Sequence, residues 1–224
     1  MINLNPISTK KLIDYKTGKY IDFKVFTNKD FDIDNEFATK SAGFALRFCD
    51  DKKDGFFVEI GVADWKNNNN TYFLEKEFGW RGLAIDIEKH FCEEYNKNRV
   101  SHCINEDAIS CNWDKYFEEN NFPKRIDFLQ VDIDMQPRYA NLLALINLPL
   151  SRYRFSTIVL EHNVGFNKNL EEMRKIQGEI LHEYGYKLVA EGFTEDWWID
   201  SELGIPESSF NSITYEAWSK RFFI

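Results

Sequence analysis

Beyond residue 35 the chain alternates short apolar runs with segments whose apolar residues recur at helical spacing. The runs at 56–60, 83–87, 102–105, 126–131, 157–160 and 186–190 read as buried strands. Their starts lie 19 to 31 residues apart, enough for a strand, a return helix and two loops. Phe37, Ser41, Phe44, Ala45 and Phe48 share one helical stripe, and Tyr139, Leu142, Leu143 and Ile146 share another that Pro149 stops. Met173, Ile176, Ile180, Leu181 and Tyr184 form a third, with Gly185 suited to its C-terminal cap. The pattern predicts an α/β class fold: a doubly wound, mostly parallel Rossmann-like sheet with helices on both faces. Residues 1–35 lack a clear period and are expected to form an N-terminal extension, leaving 36–224 as a single domain.

Composition narrows the partners. With 224 residues, 43% hydrophobic and 16% aromatic, the chain is of one-domain size and too rich in core residues for disorder. Lys+Arg 28 against Asp+Glu 37 gives a net charge of −9, so the average surface repels a phosphate backbone, and nucleic acid is not an expected partner. No apolar run reaches the roughly 18 residues of a membrane span, and the first six residues lack a signal-peptide layout, so no membrane partner and a cytoplasmic location are expected. Cys49, Cys92, Cys103 and Cys111 form no C-x-x-C pair and read as reduced thiols.

In doubly wound folds ligands bind at the carboxyl ends of the strands. The first of these ends reads Val58-Glu59-Ile60-Gly61-Val62-Ala63-Asp64, an acid followed by a glycine. Glu59 can face a ligand there, or cap the following turn while Gly61 supplies a positive φ. Asp86 ends the next run 27 residues after Glu59, where nucleotide-binding folds place the acid that grips ribose hydroxyls. The glycine-rich pyrophosphate cradle is absent, which points to a nucleoside ligand without a diphosphate. Asn105-Glu106-Asp107-Ala108 adds a further acid that can meet an exocyclic amine or sit in a surface turn. The four asparagines at 67–70 suit a loop or a helix cap.

These residues resemble the FkbM-like S-adenosylmethionine-dependent methyltransferases. Phe57-Val58-Glu59-Ile60-Gly61-Val62-Ala63-Asp64 looks like that family's cofactor loop, and Asn70-Thr71-Tyr72-Phe73-Leu74-Glu75 like its next helix start. Further matches are Gly79-Trp80-Arg81-Gly82-Leu83 leading to Asp86, the segment from Ile126 to Asp134, Glu161-His162-Asn163, and Glu195-Asp196-Trp197-Trp198. The resemblance implies a class I methyltransferase fold, with Glu59, Gly61, Ala63, Asn70, Thr71, Asp86, Asp107, Ala108 and Asp132 contacting S-adenosylmethionine. It implies a hydroxyl of a sugar, glycan or other small natural product as acceptor. Trp65 and Met135 depart from glycines common in the family, and Asp86-Ile87-Glu88 replaces its usual acid-proline sequence, leaving Glu88 as a rival ribose acid.

A hydroxyl needs a base or a metal before it attacks a methyl group. His162, with an ordinary pKa near 6.5, is the expected base. Asp132 and Asp134 lie two apart and share a strand face. Both are expected catalytic residues, and with Glu161 they also suit Mg²⁺ or Mn²⁺. The alternatives are that Asp132 and Asp134 cap the next helix and that His162 is a strand-end histidine held by a neighbour. Trp65, Tyr139, Trp197 and Trp198 flank the strand ends and suit a sugar face. Two other readings keep the fold: a metal-dependent enzyme that modifies a sugar differently, and a nucleoside-binding protein without catalysis.

Overall fold

The computed structural model describes residues 6–13, 20–26, 36–133 and 139–210, with side chains from Lys40 onward. Two strands, β1 (Pro6–Ile13) and β2 (Tyr20–Phe26), pair as an antiparallel ribbon, and α1 (Glu36–Phe48) follows. The main sheet is built from β3 (Phe56–Ile60), β4 (Arg81–Asp86), β5 (His102–Asn105), β6 (Arg125–Val131), β7 (Arg154–Glu161), β8 (Tyr186–Glu191) and β9 (Glu195–Asp200). Between them run α2 (Tyr72–Phe78), α3 (Lys89–Asn98), α4 (Trp113–Glu119), α5 (Ala140–Asn147) and α6 (Glu171–Glu183).

The strand order is β5-β4-β3-β6-β7-β9-β8. All neighbours are parallel except β9, which runs antiparallel to both β7 and β8. The chain winds outward from β3 to β5, then returns to β6 beside β3, so the switch in winding direction falls between β3 and β6. This is the mostly parallel Rossmann-like sheet the hydrophobic pattern predicts.

Period-two alternation sends each strand's side chains to two different layers. Val58, Ile60, Leu129, Val131, Ile158, Leu160 and Trp198 pack with Trp113, Phe117, Ala144, Leu145 and Leu181 from α4, α5 and α6. Phe57, Phe128, Val159, Trp197 and Ile199 pack on the opposite side with Ala42, Phe44 and Ala45 of α1 and Phe73 and Leu74 of α2. Each large side chain buried this way contributes about 1.5–3 kcal/mol, which is why apolar runs alone locate the strands.

Three expectations need correction. The α5 stripe is rotated: Ala140, Leu142, Ala144 and Leu145 are buried, while Leu143 and Ile146 are exposed, because the helix is apolar on nearly every side. The expected strand at 83–87 begins earlier and ends at Asp86, leaving Ile87 outside it. Glu195, Asp196, Trp197 and Trp198 belong to an interior strand, and both indoles are core, one in each layer, so they present no face to a sugar.

Candidate functional site

The switch point gathers the ends of β3, β4 and β6. Gly61 leaves β3 with φ +84°, its N–H bonded to Ile85 O, while Asp132 N donates to Ile60 O. The following loop folds back on β4: Val62 N and Ala63 N donate to Asp86 Oδ2 at 2.8 and 3.3 Å, and Glu88 N donates to Oδ1 at 2.8 Å. Asp86 is half-buried and Ala63 exposed, so this carboxylate is fixed at an accessible edge. Ile87 beside it is 66% exposed. Asn105 Nδ2 donates to Asp86 O and Ile87 O, tying the end of β5 to that of β4. On the loop after β5, Asp107 is exposed and accepts from Ile109 N, whereas Ala108 is buried in the core. Glu88, the rival acid, is exposed, and its backbone rather than its side chain serves Asp86.

Glu59 has a different surrounding. It is fully buried, and its carboxylate accepts from Thr71 Oγ1 at 2.7 Å, Asn69 Nδ2 at 3.2 Å and Asn70 N at 3.2 Å. Burial pushes its pKa up to about 7, against the pull of Arg99 and of these donors. Asn69 Oδ1 in turn accepts from Thr71 N and Tyr72 N at the start of α2. Asn70 and Thr71 are themselves buried, so Glu59, Asn70 and Thr71 brace the loop from below and Ala108 fills the core beside it. Arg99, which the sequence reading did not single out, completes the brace. It donates to Glu75 Oε1 at 2.8 Å, Asn69 Oδ1 at 2.9 Å, Trp65 O at 3.1 Å and Thr71 Oγ1 at 3.1 Å, over the ring of Tyr95. Trp65 is half-buried against Val62, Ala84, Cys92, Tyr95 and Cys103, edge-on to Tyr72.

Across the switch point a second group forms. Gln130 pairs with Val159, and Glu161 with Glu195, so Asp132, Glu161 and Glu195 stand side by side at the ends of β6, β7 and β9. Alternation places all three on the α1 side of the sheet. Asn141, another residue the sequence reading passed over, spans two of these ends: Oδ1 accepts from Ile133 N, and Nδ2 donates to Ile133 O and Glu161 Oε2. Burial, and then Asp132, push Glu161 up to about 9; burial and Asp132 likewise push Glu195 up to about 8, with Lys40 opposing. Two acids so placed keep a proton that solvent-exposed carboxyls would lose. Asp134, expected here as a catalytic and metal-binding residue, lies outside the described residues. Among the described residues no group of three His, Cys, Asp or Glu side chains is arranged to hold a metal ion.

His162 sits next to Glu161 but turns the other way. It is 1% exposed; Nδ1 accepts from Val164 N at 3.1 Å, and Nε2 lies 3.6 Å from Asp196 Oδ1. A neutral imidazole whose Nδ1 accepts must carry its proton on Nε2. Burial lowers its pKa, despite Asp196. In this arrangement no lone pair of His162 faces the cleft, and the geometry assigns the ring to the interior network of Arg174, Asp196 and Glu191. Tyr139, expected near the acceptor, packs against Leu142, Val164, Leu170 and Met173.

No protein-family model matches the chain, and no curated protein does. Solved structures with a similar course of the chain include the N-methyltransferase NodS from Bradyrhizobium japonicum WM9, at 13% identity and TM-score 0.45 over 76% of this chain and 96% of that one. Its complex with S-adenosyl-l-homocysteine gives 12% identity and TM-score 0.46 over 77% and 89%. An O-methyltransferase from Bacillus cereus in complex with SAH gives 16% and 0.47 over 77% and 82%. These scores are low, and the fold rests on the strand order itself.

Proposed function

We propose that the chain is an S-adenosylmethionine-dependent methyltransferase acting on a small-molecule or glycan acceptor, in line with its resemblance to the FkbM-like enzymes. The observation that carries this reading is Asp86. At the end of β4, next to the switch point, its carboxylate is fixed by two amides of the Gly61 loop and stays half exposed beside Ile87. A ribose diol donates to such a carboxylate, and the exposed sec-butyl surface of Ile87 suits one face of a purine. The residues present therefore fit a nucleoside without a diphosphate. Gly61, Ala63 and Asp107 border the same edge, and Glu59, Asn70 and Thr71 support it from beneath.

When bound, S-adenosylmethionine supplies an electrophilic methyl group on a sulfonium. The chain's part is to hold donor and acceptor within attack distance and to receive a proton. Asp132 stands across the switch point from Asp86 beside Glu161, and we assign it to take the proton of an acceptor hydroxyl. His162 holds the β7 end through Asp196. The net charge of −9 supports a neutral or cationic acceptor over a polyanionic one.

Thermal unfolding with and without S-adenosylhomocysteine tests the reading. At 100 times its dissociation constant a ligand adds about 2.7 kcal/mol of stability. An unfolding midpoint that does not move at millimolar S-adenosylhomocysteine would overturn the assignment. Activity that survives dialysis against chelator would separate it from a metal-dependent modification of the same acceptor.

A further inference from the structure

The four cysteines are free thiols, divided among three packing groups. Cys49 lies against the α1 layer and Cys111 in the opposite one, and burial pushes each thiol up to about 12. Cys92 and Cys103 meet. Cys92 closes the first turn of α3, Cys103 lies in β5, and the Cys103 S–H donates to Cys92 Sγ at 3.3 Å. That hydrogen bond holds the Cys92 pKa below the ordinary thiol value, against burial and the charge of Asp86, and so favours the thiolate, the reactive form. The two side chains are only 2% and 1% exposed, but β5 is the edge strand of the sheet and just four residues long. Cys92 also supports the donor edge. Its S–H donates to Asp86 O at 3.3 Å, and its N–H to Glu88 O at 3.3 Å, while Glu88 N holds Asp86 Oδ1. A shift of Cys92 toward β5 is therefore passed to the Asp86 carboxylate through the start of α3.

We propose that Cys92 and Cys103 are an oxidation site, joined by a reversible disulfide when hydrogen peroxide reaches them, and that this bond weakens the hold of the β4 edge on its ligand. The Cys92 thiolate attacks one peroxide oxygen, the O–O bond breaks, and hydroxide leaves, giving a sulfenic acid. Cys103 loses its proton to that hydroxide and attacks the Cys92 sulfur, forming the S–S bond and expelling the sulfenic oxygen as a second hydroxide, which takes up the proton first released by Cys92. Two thiols and one peroxide thus become one disulfide and two waters. A dithiol reductant reverses the bond by exchange. Hydrogen peroxide is little larger than water, so local opening of a short edge strand admits it where a bulky disulfide oxidant stays outside. Closing the 3.3 Å gap to the roughly 2 Å of a disulfide moves the sulfurs by about 1 Å and removes the S–H that Asp86 O accepts. The inference rests on the methyltransferase reading only for which ligand the edge holds.

Treating the full chain with a small molar excess of hydrogen peroxide, ended with catalase, tests it. The intact mass should fall by about 2 Da, for two hydrogens lost, and two of the four thiols should no longer titrate after unfolding. Digestion after Lys, Arg and Glu should release one linked pair of peptides carrying Cys92 and Cys103, because Lys97 and Arg99 separate these two and Glu106 divides Cys103 from Cys111. Calorimetric affinity for S-adenosylhomocysteine should drop by about fivefold or more on oxidation and return with dithiothreitol. Cys92→Ser and, separately, Cys103→Ser should bind S-adenosylhomocysteine as before and lose the response to peroxide, whereas Cys49→Ser and Cys111→Ser should keep it. A link through Cys49 or Cys111, a gain of oxygen on Cys92 or Cys103 in place of the loss of mass, or equal affinity of the two forms would overturn the inference. If neither form binds S-adenosylhomocysteine, the methyltransferase reading fails, and the mass and the linked peptides still decide the disulfide.

Discussion

A Cβ placed on Gly61 would stand 1.9 Å from the carbonyl oxygen of Asp132. The glycine thus joins both halves of the site: it turns the donor loop with a φ of +84° and lets the end of β6 pass against it. The obstacle is backbone, which cannot rotate aside. Gly61→Ala should destabilise the fold by more than about 2 kcal/mol and abolish S-adenosylhomocysteine binding. Urea unfolding with a ligand titration checks both, and a variant of unchanged midpoint would show that the two strand ends are less tightly joined than described.

Asp86 accepts from Val62 N and Ala63 N and faces the proposed ribose. Asp86→Ala should raise the dissociation constant of S-adenosylhomocysteine by roughly tenfold or more, the effect of losing charge-assisted hydrogen bonds. Glu88→Ala should leave it unchanged. The reverse result in calorimetry would transfer the ribose to Glu88.

Glu59 gives a pH signature. Its unfolded carboxyl ionises near the ordinary 4.5, while burial holds the folded one up to about 7. Between these values the unfolded chain has released a proton that the folded chain still binds, so stability falls as pH rises through the window and levels off above it. The span corresponds to about 3 kcal/mol as an order of magnitude. Glu59→Gln should flatten this part of the stability profile, measured by denaturant midpoints from pH 4.5 to 8.

At the opposite end of β9, Asp200 is fully buried and accepts from Arg154 Nε at 2.8 Å and Nη2 at 2.6 Å, and also from Arg125. Burial opposes its ionisation, but the Arg154 hydrogen bond and its neighbours outweigh that and hold its pKa below the ordinary value. Its stabilisation is therefore present above about pH 4 and lost as pH falls through its lowered pKa. Asp200→Asn should cost about 3–5 kcal/mol at pH 7, because two arginines lose their buried counter-ion. Equilibrium unfolding at pH 7 and pH 3 should show the difference shrinking in acid.

Strands at 56–60 and 102–105 were legible to the residue because the first is bracketed by Gly55 and Gly61, and the second centres on the apolar pair Cys103-Ile104 between polar residues. The antiparallel β9 was not, since Glu195, Asp196 and Asp200 give it the polarity of a loop. Asp196 and Asp200 are tolerated inside because Arg174, Arg125 and Arg154, distant in sequence, arrive to pair with them, whereas burial pushes the Glu195 carboxyl up to about 8. The strand-end acids Asp86, Asp132 and Glu161 could be read from position alone. What position could not show is direction: Glu59 and His162 point into the protein, toward Thr71 and Asp196, and those partners are set by packing rather than spacing. β1 and β2 were missed because a two-stranded ribbon leaves only a faint alternation in sequence.

Arg99 bears on timing as well as on shape. By gripping Trp65, Asn69, Thr71 and Glu75 at once, it locks the loop after β3, the start of α2 and the end of α3 into one body. A nucleoside arriving at that edge meets walls already in place and surrenders little chain freedom in docking. Its capture should accordingly run close to the rate of diffusional encounter, leaving residence time as the quantity that sequence changes around the brace would tune.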